Sequence, residues 1–174
     1  MIENKYVEAI VLQLVDKSPN PHRREFLQAC LRNLLFEYEK NEEKFLEMNV
    51  VRDVCKVLID EQGITAEQLP ESWKFCAAKA AKSFDQLSEW NFKASAGLID
   101  CLTLLSNTDK TLERMHEIDL EALLPKIRLP QTAEWEGPTS RLEVLGLQLA
   151  TVKDQPKQES AAAAEEPPAL VDQE

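Results

Sequence analysis

Four cysteines and two histidines are the side chains of this sequence best suited to bind a metal ion or to act as nucleophiles. Zinc ligands usually appear in a sequence as closely spaced pairs, such as two cysteines separated by about two residues. Here the cysteines stand singly at positions 30, 55, 76 and 101, and neither His22 nor His116 lies at ligand spacing from one of them. The sequence therefore predicts no metal site, no cofactor and no catalytic residue.

The common catalytic motifs are also absent from the sequence. It contains no glycine-rich phosphate loop, no zinc-protease helix, no nucleophile elbow and no calcium loop. The 31 acidic residues are scattered along predicted helix surfaces, a pattern typical of solvated faces. A catalytic triad can assemble from distant residues, so an enzyme stays the third class of function, behind two non-enzymatic ones.

The charge balance argues against nucleic acid as a partner. The formal net charge is −11, and no block of basic residues interrupts it. Lysine and arginine supply most of the affinity for phosphate backbones and for anionic lipid surfaces. We therefore expect neither nucleic-acid binding nor membrane binding.

The sequence also predicts where in the cell the protein lies. No apolar run approaches the roughly 18 residues of a membrane span. The first residues include an acid at position 3 and no basic leader, so we expect no signal peptide. Unpaired cysteines on predicted apolar faces are typical of reduced core thiols, which predicts a cytoplasmic or nuclear protein.

The elements that would position any site are helical, and residues 20–60 show this most clearly. Asn20 and Pro21 have the types that favour a helix start, and Gly63 follows at a position that favours a helix end. Between them two long helices and a short helical link are predicted from apolar residues spaced three and four apart. The first apolar stripe comprises Phe26, Leu27, Cys30, Leu31, Leu34, Leu35 and Tyr38, and the second comprises Val50, Val51, Val54, Val57 and Leu58.

Part of this stretch resembles a known family. The residues concerned are Asn20, Pro21, Arg24, Glu25, Phe26, Cys30, Leu31, Arg32, Asn33 and Leu34. They are similar to a run in the armadillo-like domain of the ataxin-ten family, and the resemblance covers residues 19–47. In that family the run lies near the C-terminus, whereas here more than a hundred residues follow. The resemblance therefore implies an armadillo-type fold and nothing about the biology of this chain.

The rest of the chain continues the helical pattern. We predict helices over residues 2–16, 71–89 and 92–105, a short link with Leu112, Met115 and Ile118, and a last helix capped by Asp119. Sliding the two halves over each other gives an offset of 67 to 68 residues, longer than the roughly 40 to 47 residues of one armadillo or HEAT unit. A plain helical bundle is the alternative to a repeat.

The C-terminal part is predicted to be different. Residues 128–138 contain prolines and predict a loop in which Trp135 either pins the chain or serves as an exposed recognition anchor. We expect Trp73 and Trp90 in the core. A helical stripe over residues 142–152 predicts a helix that caps the stack, docks into a partner, or acts as an export signal. Residues 153–174 have too little apolar surface to order and predict a disordered acidic tail.

These patterns predict an all-α protein, a short armadillo- or HEAT-like right-handed helical stack with a disordered tail. Its expected parts are a repeat domain over 1–128, a loop and helix over 129–152, and the tail over 153–174. By analogy with such stacks, we expect a non-enzymatic adaptor or scaffold that binds a protein partner through a groove. The alternative is an obligate subunit of a larger complex or a homodimer. The predicted partner-binding residues are Arg52, Lys56 and Asp60 on the polar side of the second long helix, together with Trp135.

Overall fold

A computed structural model describes residues 4–15 and 20–153 of the chain. Within these ranges it contains eight α-helices, five short 3-10 helices and no strand, which confirms the predicted all-α class. The α-helices are α1 (Asn4–Val15), α2 (Pro21–Leu35), α3 (Glu42–Glu47), α4 (Val50–Gln62), α5 (Glu89–Leu105), α6 (Asp109–Glu117), α7 (Leu120–Leu123) and α8 (Glu136–Lys153). The 3-10 helices are Tyr38–Asn41, Glu71–Cys76, Phe84–Gln86, Leu124–Lys126 and Ala133–Trp135. One hydrophobic core takes buried side chains from all eight α-helices.

Some predictions fall on residues that the structure does not describe. Residues 154–174 of the predicted tail lie outside the described ranges, as do residues 2–3 and 16 of the predicted first helix. The armadillo- or HEAT-type stacking of the helices stays a prediction.

Helix α2 begins where the sequence predicts. The Asn20 side chain accepts hydrogen bonds from the backbone amides of His22 at 3.0 Å and Arg23 at 3.4 Å. These bonds satisfy amide donors that the first helical turn leaves without a partner. The buried face is narrower than expected, because Phe26 is 67 % exposed.

Helices α2 and α5 lie side by side and run in the same direction. The His22 ring lies 4.8 Å from that of Trp90, and further along Arg32 lies 3.4 Å from Asp100. In both pairs the partners are 68 residues apart, so the residue numbers rise together along the two helices. The same offset relates the two halves of the sequence.

The link regions after the two helices are joined by hydrogen bonds of hydroxyl groups. Tyr38 is hydrogen-bonded to Thr111, and Thr108 donates to the carboxylate of Glu42. Tyr38 and Thr111 are both buried. Burial raises the pKa of Tyr38, so the phenol stays protonated at neutral pH and can donate its hydrogen.

Asp119 occupies the predicted N-cap position but acts differently there. It has a left-handed backbone with φ 59°, and its side chain accepts from Ser72 at 2.8 Å instead of capping α7. Its carbonyl accepts from the indole of Trp73 at 3.0 Å. Helix α7 is only four residues long and passes into a 3-10 turn that contains Pro125, whereas the sequence predicts a longer helix.

The prediction of a helix over residues 71–89 is wrong, since only two short 3-10 helices form before α5 begins at Glu89. The alanine-rich middle is extended or bent and bonds to the chain after α4. Ala78 donates to the carbonyl of Ile64 at 2.9 Å, and Lys82 donates to that of Gly63 at 3.2 Å. These tertiary bonds satisfy backbone groups that a helix would otherwise pair, and they override the helix propensity of alanine.

Gly63 closes α4 as predicted and also permits this close approach. Its φ of 61° is the left-handed conformation that favours glycine. A Cβ atom added there would lie 2.6 Å from the Cβ of Lys82. The extended segment therefore requires glycine at this position for space as well as for backbone conformation.

A buried glutamine ties this junction together. Gln62 is fully buried, its Nε2 donates to Ser95 at 2.7 Å, and its Oε1 accepts from the amide of Arg128 at 3.1 Å. The Arg128 guanidinium donates to the carbonyls of Gln62 and Lys82. One arginine thus joins the end of α4, the extended segment and the chain that follows α7.

Helix α8 packs on α5 and α6. It begins at Glu136, six residues before the predicted stripe, and its first turn accommodates Pro138 because no amide donor is needed there. Leu145 and Leu149 are completely buried. This is the packing of a capping helix, whereas a docking motif or an export signal would need these leucines at the surface.

Candidate functional site

The residues that the sequence predicts as a partner-binding face lie together on the outer side of α4. Lys56 is exposed, while Arg52 and Asp60 are half-buried. The Arg52 guanidinium lies over the ring of Phe75, 5.3 Å from its centre, and that ring is 64 % exposed. Burial raises the pKa of the neighbouring Asp53, against the opposing effect of the two basic residues.

Trp135 does not share that face and is not exposed. Its side chain is 7 % exposed and packs with Leu87 and Phe92 in a small second core cluster. The rings of Trp135 and Phe92 lie edge to face, 5.8 Å apart. Trp135 is therefore not an exposed recognition anchor. It pins its loop to this small cluster instead.

Of the two other tryptophans, both predicted to lie in the core, only one is buried. Trp73 is fully buried, as expected, but Trp90 is 37 % exposed. Trp90 makes an edge contact with His22, and the Lys93 ammonium lies 5.7 Å from its ring centre. Trp90 thus lies at the surface, beside the N-terminal ends of α2 and α5.

The cysteines are all free thiols, and three of them are buried. Burial raises the pKa of the Cys55 and Cys76 thiols and raises that of Cys101 to about 12. Thiols with a raised pKa are poor nucleophiles at neutral pH. Within residues 4–15 and 20–153, no group of three His, Cys, Asp or Glu side chains is placed to hold a metal ion.

A cleft between α2 and α5 has a volume of about 420 Å³. We call it the α2–α5 cleft. Pockets that bind small ligands have volumes of roughly 300 to 1,000 Å³. Its walls come from α2, from α5 and from the start of α8 with the turn before it. The lining residues are Glu25, Gln28, Ala29, Arg32, Lys93, Ala96, Gly97, Asp100, Glu134, Trp135 and Pro138.

Gln28 is a buried polar residue in this cleft without a complete set of hydrogen bonds. It is 4 % exposed, and its Nε2 has no hydrogen-bond partner among the described residues. Its amide lies over Gly97, where an added Cβ would come within 3.0 Å of the Gln28 Oε1. A buried amide without a partner costs roughly 1 to 3 kcal/mol, and a ligand that bonds to it would recover part of that cost.

One end of the cleft carries excess negative charge. Lys93 pairs with Glu89 at 2.7 Å, and a hydrogen bond to Glu89 together with the charges of Glu89, Glu134 and Glu25 raises the Lys93 pKa. These four residues, which we call the acidic end, combine three carboxylates with one ammonium. A cationic group of a ligand would be favoured there.

The other end of the cleft carries excess positive charge. Asp100 pairs with Arg32 at 3.4 Å and with Arg141 at 2.6 Å. These three residues, which we call the basic end, combine two guanidinium groups with one carboxylate. Arginine forms forked hydrogen bonds with carboxylates, so an additional acidic group could bind there.

Two features of the sequence indicate this site. Gln28 lies three residues before Leu31 and seven before Leu35, which places a polar residue on the buried stripe of α2. Gly97 lies inside a strongly helical pattern, where glycine is costly unless another element approaches closely. What the sequence did not show was that the two residues face each other.

Comparison of the chain with protein-family models, with curated proteins and with solved structures found no match. The resemblance of residues 19–47 to the ataxin-ten family therefore rests on those residues alone. Of the helices in the described ranges, none has both the length and the apolar character needed to cross a membrane.

Proposed function

We propose that this chain is a non-enzymatic interaction module that binds a segment of a protein partner in the α2–α5 cleft. The observation that carries the proposal is the buried Gln28 amide, whose nitrogen has no partner among the described residues. Polypeptide main chain offers the matching donors and acceptors, since each residue other than proline carries one of each.

The surroundings of Gln28 support this use. Three of the lining residues are small, Ala29 at the rim and the half-buried Ala96 and Gly97, and they leave room for another backbone. Trp135 and Pro138 give the wall apolar contact area, and the two charged ends provide polar contacts. Recognition sites commonly combine apolar walls with a few polar groups that fix orientation.

The test is site-specific photocrosslinking of the full chain in its own cells. A photoreactive residue replaces Ala29 at the exposed rim of the cleft or, as the matched control, Lys56 on the exposed face of α4. The proposal expects one protein to crosslink from position 29 and not from position 56. Crosslinking of the same protein only from position 56 would favour the face formed by Arg52, Lys56 and Asp60 and would contradict the cleft.

Exposed apolar side chains favour a second candidate, an obligate subunit or a homodimer. Phe26, Phe36, Phe75 and Leu147 are each more than 60 % exposed. Large exposed apolar side chains are typical of surfaces that a partner covers. Light scattering coupled to size-exclusion chromatography tests this candidate, because a soluble monomer at micromolar concentration would contradict a homodimer or an obligate subunit.

A further inference from the structure

The charges of the α2–α5 cleft are arranged in two levels along its length. Helices α2 and α5 are parallel, so Glu25 lies at the level of Lys93, and Arg32 lies at the level of Asp100. The first level belongs to the acidic end and the second to the basic end. A ligand with a single charge would therefore match only one of the two levels.

The spacing of the levels sets the separation in sequence that an extended ligand needs between its two charges. Within each helix the two levels are seven residues apart, which is about 10.5 Å at 1.5 Å per residue. An extended chain advances about 3.3 to 3.6 Å per residue, so three residues cover the same distance. In a helical ligand, three residues would cover only about 4.5 Å.

We propose that the cleft binds an extended peptide segment in which a lysine or arginine lies three positions from an aspartate or glutamate. The basic side chain lies at Glu25 and Glu134, and the acidic side chain lies at Arg32 and Arg141. Between them the ligand main chain bonds to the Gln28 amide. This inference rests on the proposed function and specifies the ligand of the same cleft.

Extended backbone suits the position between the two levels. An extended segment has main-chain donors and acceptors that no helix pairs internally. The Gln28 side chain can supply either partner, because a primary amide has a donor nitrogen and an acceptor oxygen. A small polyamine would reach only the acidic end and would leave the two arginines with a single carboxylate.

The experiment is an NMR titration of the full isotope-labelled chain with two capped eight-residue peptides of identical composition. Both contain one lysine and one glutamate among glycines and serines. In the first the two charged residues are three positions apart, and in the second they are adjacent. The readouts are the side-chain amide signals of Gln28 and the backbone amide signal of Gly97, with Lys56 on α4 as an internal control.

The proposal expects saturable shifts at Gln28 and Gly97, and binding of the first peptide about threefold to fivefold tighter, the size of one exposed ion pair. Equal affinity of the two peptides at the cleft would overturn the spacing rule and leave the proposed function in place. The absence of shifts at Gln28 at millimolar peptide would overturn the inference, whereas the photocrosslinking experiment tests the function independently.

A charge exchange gives a second test that does not depend on the affinity of one peptide. Arg32→Glu changes the basic end from two positive groups and one negative group to one positive and two negative groups. This variant should prefer a peptide with lysine at both charged positions, while the unmodified chain should prefer lysine and glutamate. An unchanged preference would overturn the proposal, and a melting temperature measured for both chains controls for folding.

Discussion

Gln28 and Gln62 are both buried against helix α5, yet their hydrogen bonding differs completely. Gln62 bonds through both ends of its amide, to Ser95 and to Arg128, and so joins three segments of the fold. Gln28 lies over Gly97, and its nitrogen has no partner among the described residues. The Gln62 amide is therefore part of the architecture, whereas we infer that the Gln28 amide, beside the cleft, is a binding group.

The largest expected difference between the surroundings of Gln28 and those of Gln62 is in the reactivity of their nearby cysteine thiols. Cys30 on α2, near Gln28, is half-buried, whereas Cys55 on α4, the helix of Gln62, is completely buried with a raised pKa. We expect a disulfide reagent at pH 8 to modify Cys30 at least about a hundredfold faster, because Cys55 reacts only after the fold opens. Mass spectrometry of timed samples measures the rates. Equal rates in the native chain would contradict the structure, and the urea-denatured chain is the control in which all four thiols react alike.

Replacing each glutamine by leucine tests the comparison directly. Gln62→Leu leaves the half-buried backbone amide of Arg128 without its acceptor and removes the buried hydrogen bond to Ser95, so we expect the free energy of unfolding to fall by about 1 to 3 kcal/mol. Gln28→Leu removes an unpaired polar group, so we expect no loss and a gain of up to about 1 kcal/mol. Urea titration followed by circular dichroism measures both. A larger loss for Gln28→Leu would mean that its amide is satisfied in solution.

Gly97→Ala separates binding from stability at the cleft. The new Cβ lies 3.0 Å from the Gln28 Oε1, so that amide must shift by a few tenths of an ångström. We expect peptide affinity to fall about tenfold, equivalent to about 1.4 kcal/mol, without a lower free energy of unfolding, since alanine favours a helix interior. Gly146→Ala on α8 is the matched control, because its Cβ meets Leu124 at an ordinary 3.7 Å. Equal affinity in the two variants would contradict the role of Gln28.

The smallest expected effect is at the outer face of α4. The double change of Arg52→Glu and Lys56→Glu removes the contact of the half-buried Arg52 with Phe75 and the two basic charges beside Asp53. We expect the free energy of unfolding to change by less than about 1 kcal/mol and partner capture to persist. The charge pattern alone predicts the opposite, a loss of capture at unchanged stability, so a pull-down with the crosslinked partner decides between the two surfaces.

The sequence predicted those features that depend on neighbouring residues. Asn20 and Pro21 start α2 and Gly63 ends α4 because capping is a local interaction. The helix predicted over residues 71–89 failed because its backbone bonds to Gly63 and Ile64, which no local pattern reveals.

The candidate site was harder to predict for the same reason. Arg52, Lys56 and Asp60 share a helix face, as their spacing indicates, but a shared face does not create a recess. The α2–α5 cleft depends on contacts between residues 68 or 69 positions apart, such as Gln28 with Gly97. The sequence shows Gln28 on the apolar stripe of α2 and Gly97 inside α5, but it does not show that these two residues contact each other.

The parallel arrangement of α2 and α5 also bears on how fast the chain folds. Helical proteins usually fold rapidly because most of their contacts are close in sequence. Here a central pair of helices meets across 68 residues, and the loop between them must close before their contacts form. Refolding should therefore be slower than that of a simple helical bundle of similar size, with the long-range junction at Arg128 forming late.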